Sequence, residues 1–563
     1  MSSKITISNP TLAAIVARMK AAQAAAACDS PIPPSNQPSP SPSHELSTSP
    51  SLVPSGLAST NSPAVIKYNA TQQEFISTAA TGTSCVLVGS AGTGKTTAQN
   101  GLVSSLISSG ASGILGNTRH KYLIDGAPGI VVVAYTRRAV RNIRRRMPES
   151  LQDNCITIHK LLEYSREFRE TVDPMTGDMK TIPVFQPTRN MINPLPDTIR
   201  TIIFEESSMI SVDLFAEVVD ALAHPIQSIF LGDLEQLPPV FGKAILGYKL
   251  WEFPVFELTE VYRQALDSPI IKLAHRILGG DPIKKADALE MSNGGLTFKF
   301  WQRSLMPEVA LSQAANYMCK EYDSGAYDPE SDVILTPQNV GFGTVELNKY
   351  IANHIARKNQ VVTFEIIAGF MKHCLSEGDK VLYNKEDATV IKILPNPTYY
   401  GVKPQPESEY LNYWGVKVGE PAPPEAAQDE ADPFDSESFD WESLNLPAIE
   451  DKTNQASHRI QLCLEDTGDI IWIDKSAEVN SLDMAYAMTV HKAQGSEWDK
   501  VYFMTHASQA RMMYRELLYT AVTRAKKELF ILCESETFVK GIQTQRIKGK
   551  GWRAKAEAFK GKQ

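Results

Sequence analysis

The sequence predicts an α/β chain with two sheet-bearing halves, roughly 67–265 and 266–540, behind a tether of low complexity. Two observations predict the sheets and a third the tether. From Tyr68 onward, short apolar runs alternate with helical patterns, the texture of parallel strands covered on both faces. The first such run ends in a glycine-rich loop. Residues 29–63 instead hold nine prolines and eleven serines in 35 positions. That composition cannot bury enough apolar surface to offset its ordering entropy, so the segment reads as disordered.

Ahead of the tether, residues 10–27 (PTLAAIVARMKAAQAAAA) form an Ala-rich helical pattern with Leu12, Ile15, Val16 and Met19 on one face. A docking peptide, an organellar presequence and a helix that forms only transiently all remain open. SCVLVG (84–89), GIVVVAY (129–135), TIIFEE (201–206) and SIFLGD (228–233) read as buried strands of the first half. DVILTP (332–337), KVLYN (380–384), KVYFM (500–504) and ELFILC (528–533) read as strands of the second. Residues 165–189 read as two polar strands around the turn DPMTGD (173–178). Residues 385–457, rich in proline and acid, interrupt the second half.

The chain of 563 residues allows about two to four domains. It is 43% hydrophobic and 21% charged, a globular composition. No apolar run approaches the ~18 residues of a membrane span, and MSSKITIS has no apolar signal region. An integral membrane protein is excluded, and a cytoplasmic location is expected. The seven cysteines include no C-x-x-C pair, which argues against a disulfide framework, a zinc ribbon or an iron–sulfur site. Net charge is −8, but residues 420–451 alone carry eleven acids and no Lys or Arg. Without them the chain turns from −8 to +3, so the overall charge does not exclude a nucleic-acid partner. Residues 538–563 hold eight basic residues against one acid and read as a basic tail adding phosphate affinity.

GSAGTGKT (89–96) fits G-x-x-x-x-G-K-[ST] between a strand and a helix. Gly89, Ser90, Ala91, Gly92, Thr93, Gly94, Lys95, Thr96 and Thr97 are the candidate nucleotide-binding residues. Backbone N–H groups would turn toward phosphate oxygens at the positive end of a helix dipole. Lys95 would neutralise the β and γ phosphates of ATP, and the Thr96 hydroxyl would ligate Mg²⁺. Glu205 and Glu206 follow an apolar strand, where one acid can anchor the metal and its neighbour can polarise water.

With these residues in place, the chain resembles superfamily 1 helicases of the RecD-like and Dda-like group over roughly 68–530. The motif series runs YNATQQ (68–73), GSAGTGKTT, AYTRRAVRNI (134–143), TIHKLL (157–162), FEESSM, LGDLEQLPPV (231–240), LTEVYRQ (258–264), AYAMTVHKAQGSEWD (485–499) and LLYTAVTRAKK (517–527). The resemblance implies two RecA-like P-loop NTPase domains with small β insertions, bound to single-stranded and fork DNA and moving 5′→3′ as a monomer. It implies domain 1A at 67–265 with a hairpin insertion near 163–196, domain 2A at 266–360 and 481–537, and a small β-barrel-like insertion at 361–480 carrying an acidic loop at 395–457.

By the same resemblance Gln72 would contact adenine, Gln236 would sense the γ-phosphate and Glu206 would be the base. Arg263 and Arg524 would reach the phosphate from the second half as arginine fingers, and Glu497 would support the nucleotide sugar. Thr136, Thr157, His159, Thr489, His491 and Ser496 would contact the strand, and Phe185 would stack at the fork. An ordinary capped-loop role for His491, and packing of Phe185 at its own hairpin base, stay open beside these. One departure stands out: the family usually has Asp where this chain has Glu205.

A single-strand-binding or replication protein is the further partner expected, through the N-terminal helix or the acidic loop. Two other functions stay open: an ATP-gated single-strand-binding or recruitment factor that unwinds nothing, and an RNA helicase of the same superfamily.

Overall fold

The computed structural model describes residues 67–113, 128–172, 179–301, 306–384, 386–400, 454–465, 468–549 and 551–561. The N-terminal helix, the Pro/Ser tether and the acidic cluster at 420–451 lie outside the described residues. The chain divides into two compact units. One contains the described residues of Ala13–Tyr135, Ala139–Lys272 and Ile547–Gln563; the other contains Thr136–Arg138 and Leu273–Arg546.

The first unit opens with helix α1 (Ala70–Ala80), then β1 (Cys85–Gly89), helix α2 (Lys95–Ser108), β2 (Ser112–Gly113), β3 (Gly129–Ala134) and β4 (Cys155–Thr157). A hairpin of β5 (Ser165–Val172) and β6 (Met179–Gln186) follows. Next come β7 (Ile199–Phe204), β8 (Gln227–Gly232), helix α3 (Leu246–Glu252) and β9 (Val255–Leu258). The sheet order is β2-β3-β7-β8-β1-β9 with β4 on β3, and every pairing is parallel.

The central strands are apolar throughout because both their faces are covered. Val86, Val88, Val131, Val133, Ile202 and Phe204 enter one core, while Cys85, Leu87, Ile130, Val132 and Ile203 enter the other. That alternation is the period-2 geometry of a strand. Phe75 and Ala79 of α1 and Leu102, Val103 and Leu106 of α2 cover the second face.

The second unit holds β10 (Leu296–Phe300), β11 (Asp332–Thr336), β12 (Thr363–Ala368), β13 (Met371–Ser376), β14 (Lys380–Tyr383), β15 (Glu386–Pro395) and β16 (Gln455–Leu464). It continues through β17 (Ile470–Lys475), β18 (Asp483–Met484), β19 (Ala487–Thr489), β20 (Trp498–Met504) and β21 (Ala525–Cys533). A five-stranded parallel sheet runs β10-β21-β20-β11-β19. A seven-stranded sheet runs β13-β12-β16-β15-β14-β18 with β17 on β16, antiparallel at every pairing. The chain therefore contains two RecA-like parallel sheets flanked by helices. KVLYN, grouped by sequence with the parallel strands, supplies β14 of the antiparallel sheet.

The C-terminal segment departs from the expected basic tail. Helix α4 (Ser535–Gln543) buries Phe538 and Ile542 in the second unit, and helix α5 (Gly551–Gly561) belongs to the first. Ile547, Ala556 and Phe559 join the same core as Val86 and Phe204. Trp552 meets Trp251 edge-on at 5.6 Å between ring centroids. Gly247 seats the helix, since a Cβ there would lie 3.0 Å from Phe559 Cβ. Positions 552, 556 and 559 share one helical face, a periodicity that the charge count obscured.

Phe559→Ala is expected to lower unfolding free energy by about 3–5 kcal/mol, measured by urea denaturation. Unchanged stability would return the segment to the status of a surface tail.

Candidate active site

The parallel strands of the first unit deliver their carboxyl ends to one edge of the sheet, where α/β folds bind ligands. Gly89 ends β1, Phe204 ends β7 and Gly232 ends β8, so the glycine-rich loop, the Glu205–Glu206 pair and the Asp233–Gln236 loop become neighbours.

Gly92 and Gly94 adopt left-handed φ values of 80° and 84°. Gly94 is the N-cap of α2 and supplies no side-chain cap, which leaves first-turn N–H groups suited to an anion. Lys95 Nζ donates to the carbonyls of Gly89 at 2.6 Å and Ser90 at 3.1 Å, and lies 4.0 Å from Asp233 Oδ2. The Thr93 hydroxyl donates to Ser90 O at 2.8 Å.

The loop is braced from behind. A Cβ on Gly94 would lie 2.6 Å from both Gln72 Nε2 and Tyr262 Cε2. Gln72 Nε2 donates to Gly94 O at 3.1 Å, while its Oε1 accepts from Asn69 N at 3.0 Å and from the Tyr262 hydroxyl at 2.6 Å. Both lone pairs of the Gln72 oxygen are thus engaged in bracing the loop, and one of its two amide hydrogens is spent on Gly94 O. Tyr262 N also donates to Gly92 O at 3.2 Å, so the 258–264 motif rides on the loop. Arg263, expected from the second half, therefore begins a short helix (Arg263–Leu266) within the first unit.

Glu205 is half-buried, and its backbone N–H donates to Val133 O at 2.8 Å. Desolvation, then the Glu206 charge, push its carboxyl up to about 7, against the pull of Lys95 and Arg146. Glu206 holds φ at 48°, a left-handed value that is uncommon outside glycine and is seen at functional turns. The turn is fixed by the Ser207 hydroxyl, which donates to Leu231 O at 2.7 Å. Asp233 is buried and accepts from Glu235 N at 3.0 Å. Gln236 is also buried, and among the described residues its Oε1 has no hydrogen-bond partner.

A divalent metal fits this edge. Burial and then the Glu206 charge disfavour the Glu205 carboxylate, a cost that a bound cation would offset, and Thr96 offers a hydroxyl oxygen at the first turn of α2. Among the described residues no cluster of three or more metal-ligating side chains occurs. Two protein oxygens completed by phosphate and water suit Mg²⁺, which keeps much of its hydration. Arg146 Nη1 stands 3.5 Å from Thr96 Oγ1, a neighbour outside the 134–143 motif because it lies in the turn after the 137–144 helix.

The strand-contacting candidates are distributed over both units. Thr157 Oγ1 accepts from Lys160 N at 3.1 Å as the cap of a short helix. His159 is sandwiched edge-on between Tyr135 at 5.5 Å and Tyr164 at 4.9 Å between centroids. Thr136 is half-buried directly after β3. In the second unit Thr489 is buried and accepts from Lys492 N at 3.3 Å. His491 titrates below its usual range because of desolvation, then the Arg546 charge.

Arg524 is 3% exposed and donates to Thr520 O at 3.0 Å, Ser496 O at 3.1 Å and Thr523 Oγ1 at 3.2 Å. Glu497 lies 3.9 Å from Lys526 Nζ. Phe185 is exposed, but it pairs with Arg166 one step from the open base of the hairpin, whereas Val172 pairs with Met179 at the turn end. Six residues of strand, roughly 20 Å, separate it from that end, so it is not the tip aromatic that stacking at a fork would need.

Residues 72–242 match the AAA domain family, and residues 484–532 match the UvrD-like helicase C-terminal domain. The ATP-dependent RecD2 DNA helicase of Deinococcus radiodurans is 25% identical over 69% of this chain and 41% of its own length. The RecBCD enzyme subunit RecD of Buchnera aphidicola is 22% identical over 81% of this chain and 71% of its own. Both family matches and both relatives support the likeness to RecD-like helicases of superfamily 1 that the motif series carries. It spans less than half the length of the RecD2 relative. Bacteroides Pif1 bound to single-stranded DNA aligns at 13% identity, covering 83% of this chain and 92% of that one with a TM-score of 0.40. Candida albicans Pif1 helicase aligns at 15%, covering 84% and 97% with a TM-score of 0.38.

Glu205→Gln isolates the cost of the acidic pair. Below about 4.5 both folded and unfolded chains hold the Glu205 proton, and between there and about 7 only the folded chain does. Stability should therefore fall as pH rises through this window, by up to about 3 kcal/mol. In EDTA the variant should lose that slope and be the more stable protein at pH 8 by urea denaturation.

Proposed function

We propose that this chain is an ATP-dependent DNA helicase that couples ATP hydrolysis to 5′→3′ movement on single-stranded DNA and to duplex unwinding. The observation that carries the reading is the convergence of the left-handed glycine loop, Lys95, the Glu205–Glu206 pair and the buried Gln236, whose Oε1 lacks a partner among the described residues, at one sheet edge. The names of the RecD and RecD2 relatives support the choice of substrate.

In this reading Lys95 and the N-terminus of α2 hold the β and γ phosphates. Thr96 and Glu205 would hold Mg²⁺, which supplies charge compensation for the transferred phosphoryl group. Water attacks the γ phosphorus, the bond to the ADP oxygen breaks, and the water proton passes to the Glu206 carboxylate. The Gln236 carbonyl oxygen, which lacks a donor among the described residues, would sense the γ-phosphate by accepting from that water. Arg263 and Arg524 are the cations assigned to the developing phosphoryl charge, and Glu497 is assigned to the nucleotide sugar. Hydroxyls of Thr136, Thr157, Thr489 and Ser496 and the rings of His159 and His491 are the proposed strand contacts, which grip the DNA backbone with little sequence readout.

Forked duplexes with a 5′ or a 3′ single-stranded overhang test the reading, with an RNA strand as a third arm. Unwinding of the 5′ substrate alone is expected; opening of the 3′ substrate reverses the polarity, and stimulation by RNA alone reassigns the substrate. Lys95→Ala should abolish turnover and unwinding together. Arg524→Ala should cut DNA-stimulated ATPase at least ~100-fold while a nucleotide analogue still binds.

A further inference from the structure

We infer that the C-terminal helix α5 positions the loop carrying Gln236, through an ion pair between buried Lys555 and half-buried Glu235. Lys555 lies 320 residues along the chain from Glu235, yet its ammonium donates to Glu235 Oε2 at 2.8 Å and to Ile547 O at 3.1 Å. The Lys555 side chain is 2% exposed, whereas a lysine on a surface tail would keep its charge in water. An unpaired ammonium there would carry the full cost of desolvation, so the helix and the loop are held together.

Glu235 is adjacent to Gln236, and its backbone N–H donates to Asp233 Oδ1 at 3.0 Å. Asp233 Oδ2 in turn lies 4.0 Å from Lys95 Nζ. The loop is thus anchored at one end to the phosphate-site lysine and at the other to α5. The apolar face of α5 makes the anchor rigid: Ala556 and Phe559 are fully buried, and Lys560 Nζ stands 5.1 Å from the Trp251 ring centroid. Lys555 is a positioning residue, acting on the nucleotide through Glu235 and Gln236. The catalytic consequence rests on the ATPase reading above, but the anchoring itself does not.

Lys555→Met, Lys555→Arg and the double variant Lys555→Met/Glu235→Gln, each in the full chain, test this. Hydrogen exchange of the 231–240 segment should accelerate at least tenfold in Lys555→Met and return toward the parent in Lys555→Arg. DNA-stimulated kcat should fall about tenfold in Lys555→Met with little change in KM for ATP. The double variant should recover thermal stability, because no lone charge stays buried, but not kcat. Unaltered exchange across 231–240 in Lys555→Met overturns the inference, as does a kcat that recovers in parallel with stability. If the parent chain shows no turnover, the ATPase reading fails, and the exchange experiment still decides the anchor.

Discussion

Gly94 turns the chain into α2 at φ 84°, with Gln72 and Tyr262 so near that a Cβ would sit 2.6 Å from each. The nucleotide edge depends on this close approach. The left-handed turn aims the first N–H groups of α2 outward, and the contacts behind it prevent the loop from relaxing into an ordinary helix start. α1 is held by its own capping box, in which Asn69 and Gln72 exchange hydrogen bonds of 3.0 and 2.9 Å. The same glutamine that completes that box supports the loop, so the helix start and the phosphate site are one construction.

Charge is managed at the same edge by pairing and by restraint. Glu205 and Glu206 repel one another, and the left-handed backbone at Glu206 turns the chain directly after β7. Lys95 and Arg146 offset part of that repulsion. Asp233 and Glu235 each have a cation within 4.0 Å, Lys95 for one and Lys555 for the other. An edge this acidic favours a cation bound beside phosphate, which is the chemistry the P-loop sequence anticipates.

Elements governed by local rules were readable from the chain alone. SCVLVG, TIIFEE and SIFLGD are apolar because their strands are buried on both faces, and all three are strands in the structure. The glycine loop announced itself by spacing. The C-terminal helix did not, because eight basic residues outweighed a three-residue apolar stripe, and its seat at Gly247 lies some 300 residues earlier in the chain. The bracing of the loop by Gln72 was not legible, since its partners Gly94 and Tyr262 are remote in sequence.

The sequence by itself determined the parallel α/β class, the phosphate loop and the acidic pair, because strand periodicity, left-handed glycines and a strand-end carboxylate are properties of neighbouring residues. Only the tertiary structure decided that Arg263 stands in the P-loop unit, that Phe185 sits at a hairpin base, and that Lys555 is a buried partner of Glu235. Those outcomes depend on which distant surfaces exclude water together, and burial of that kind leaves no local signature in the order of residues.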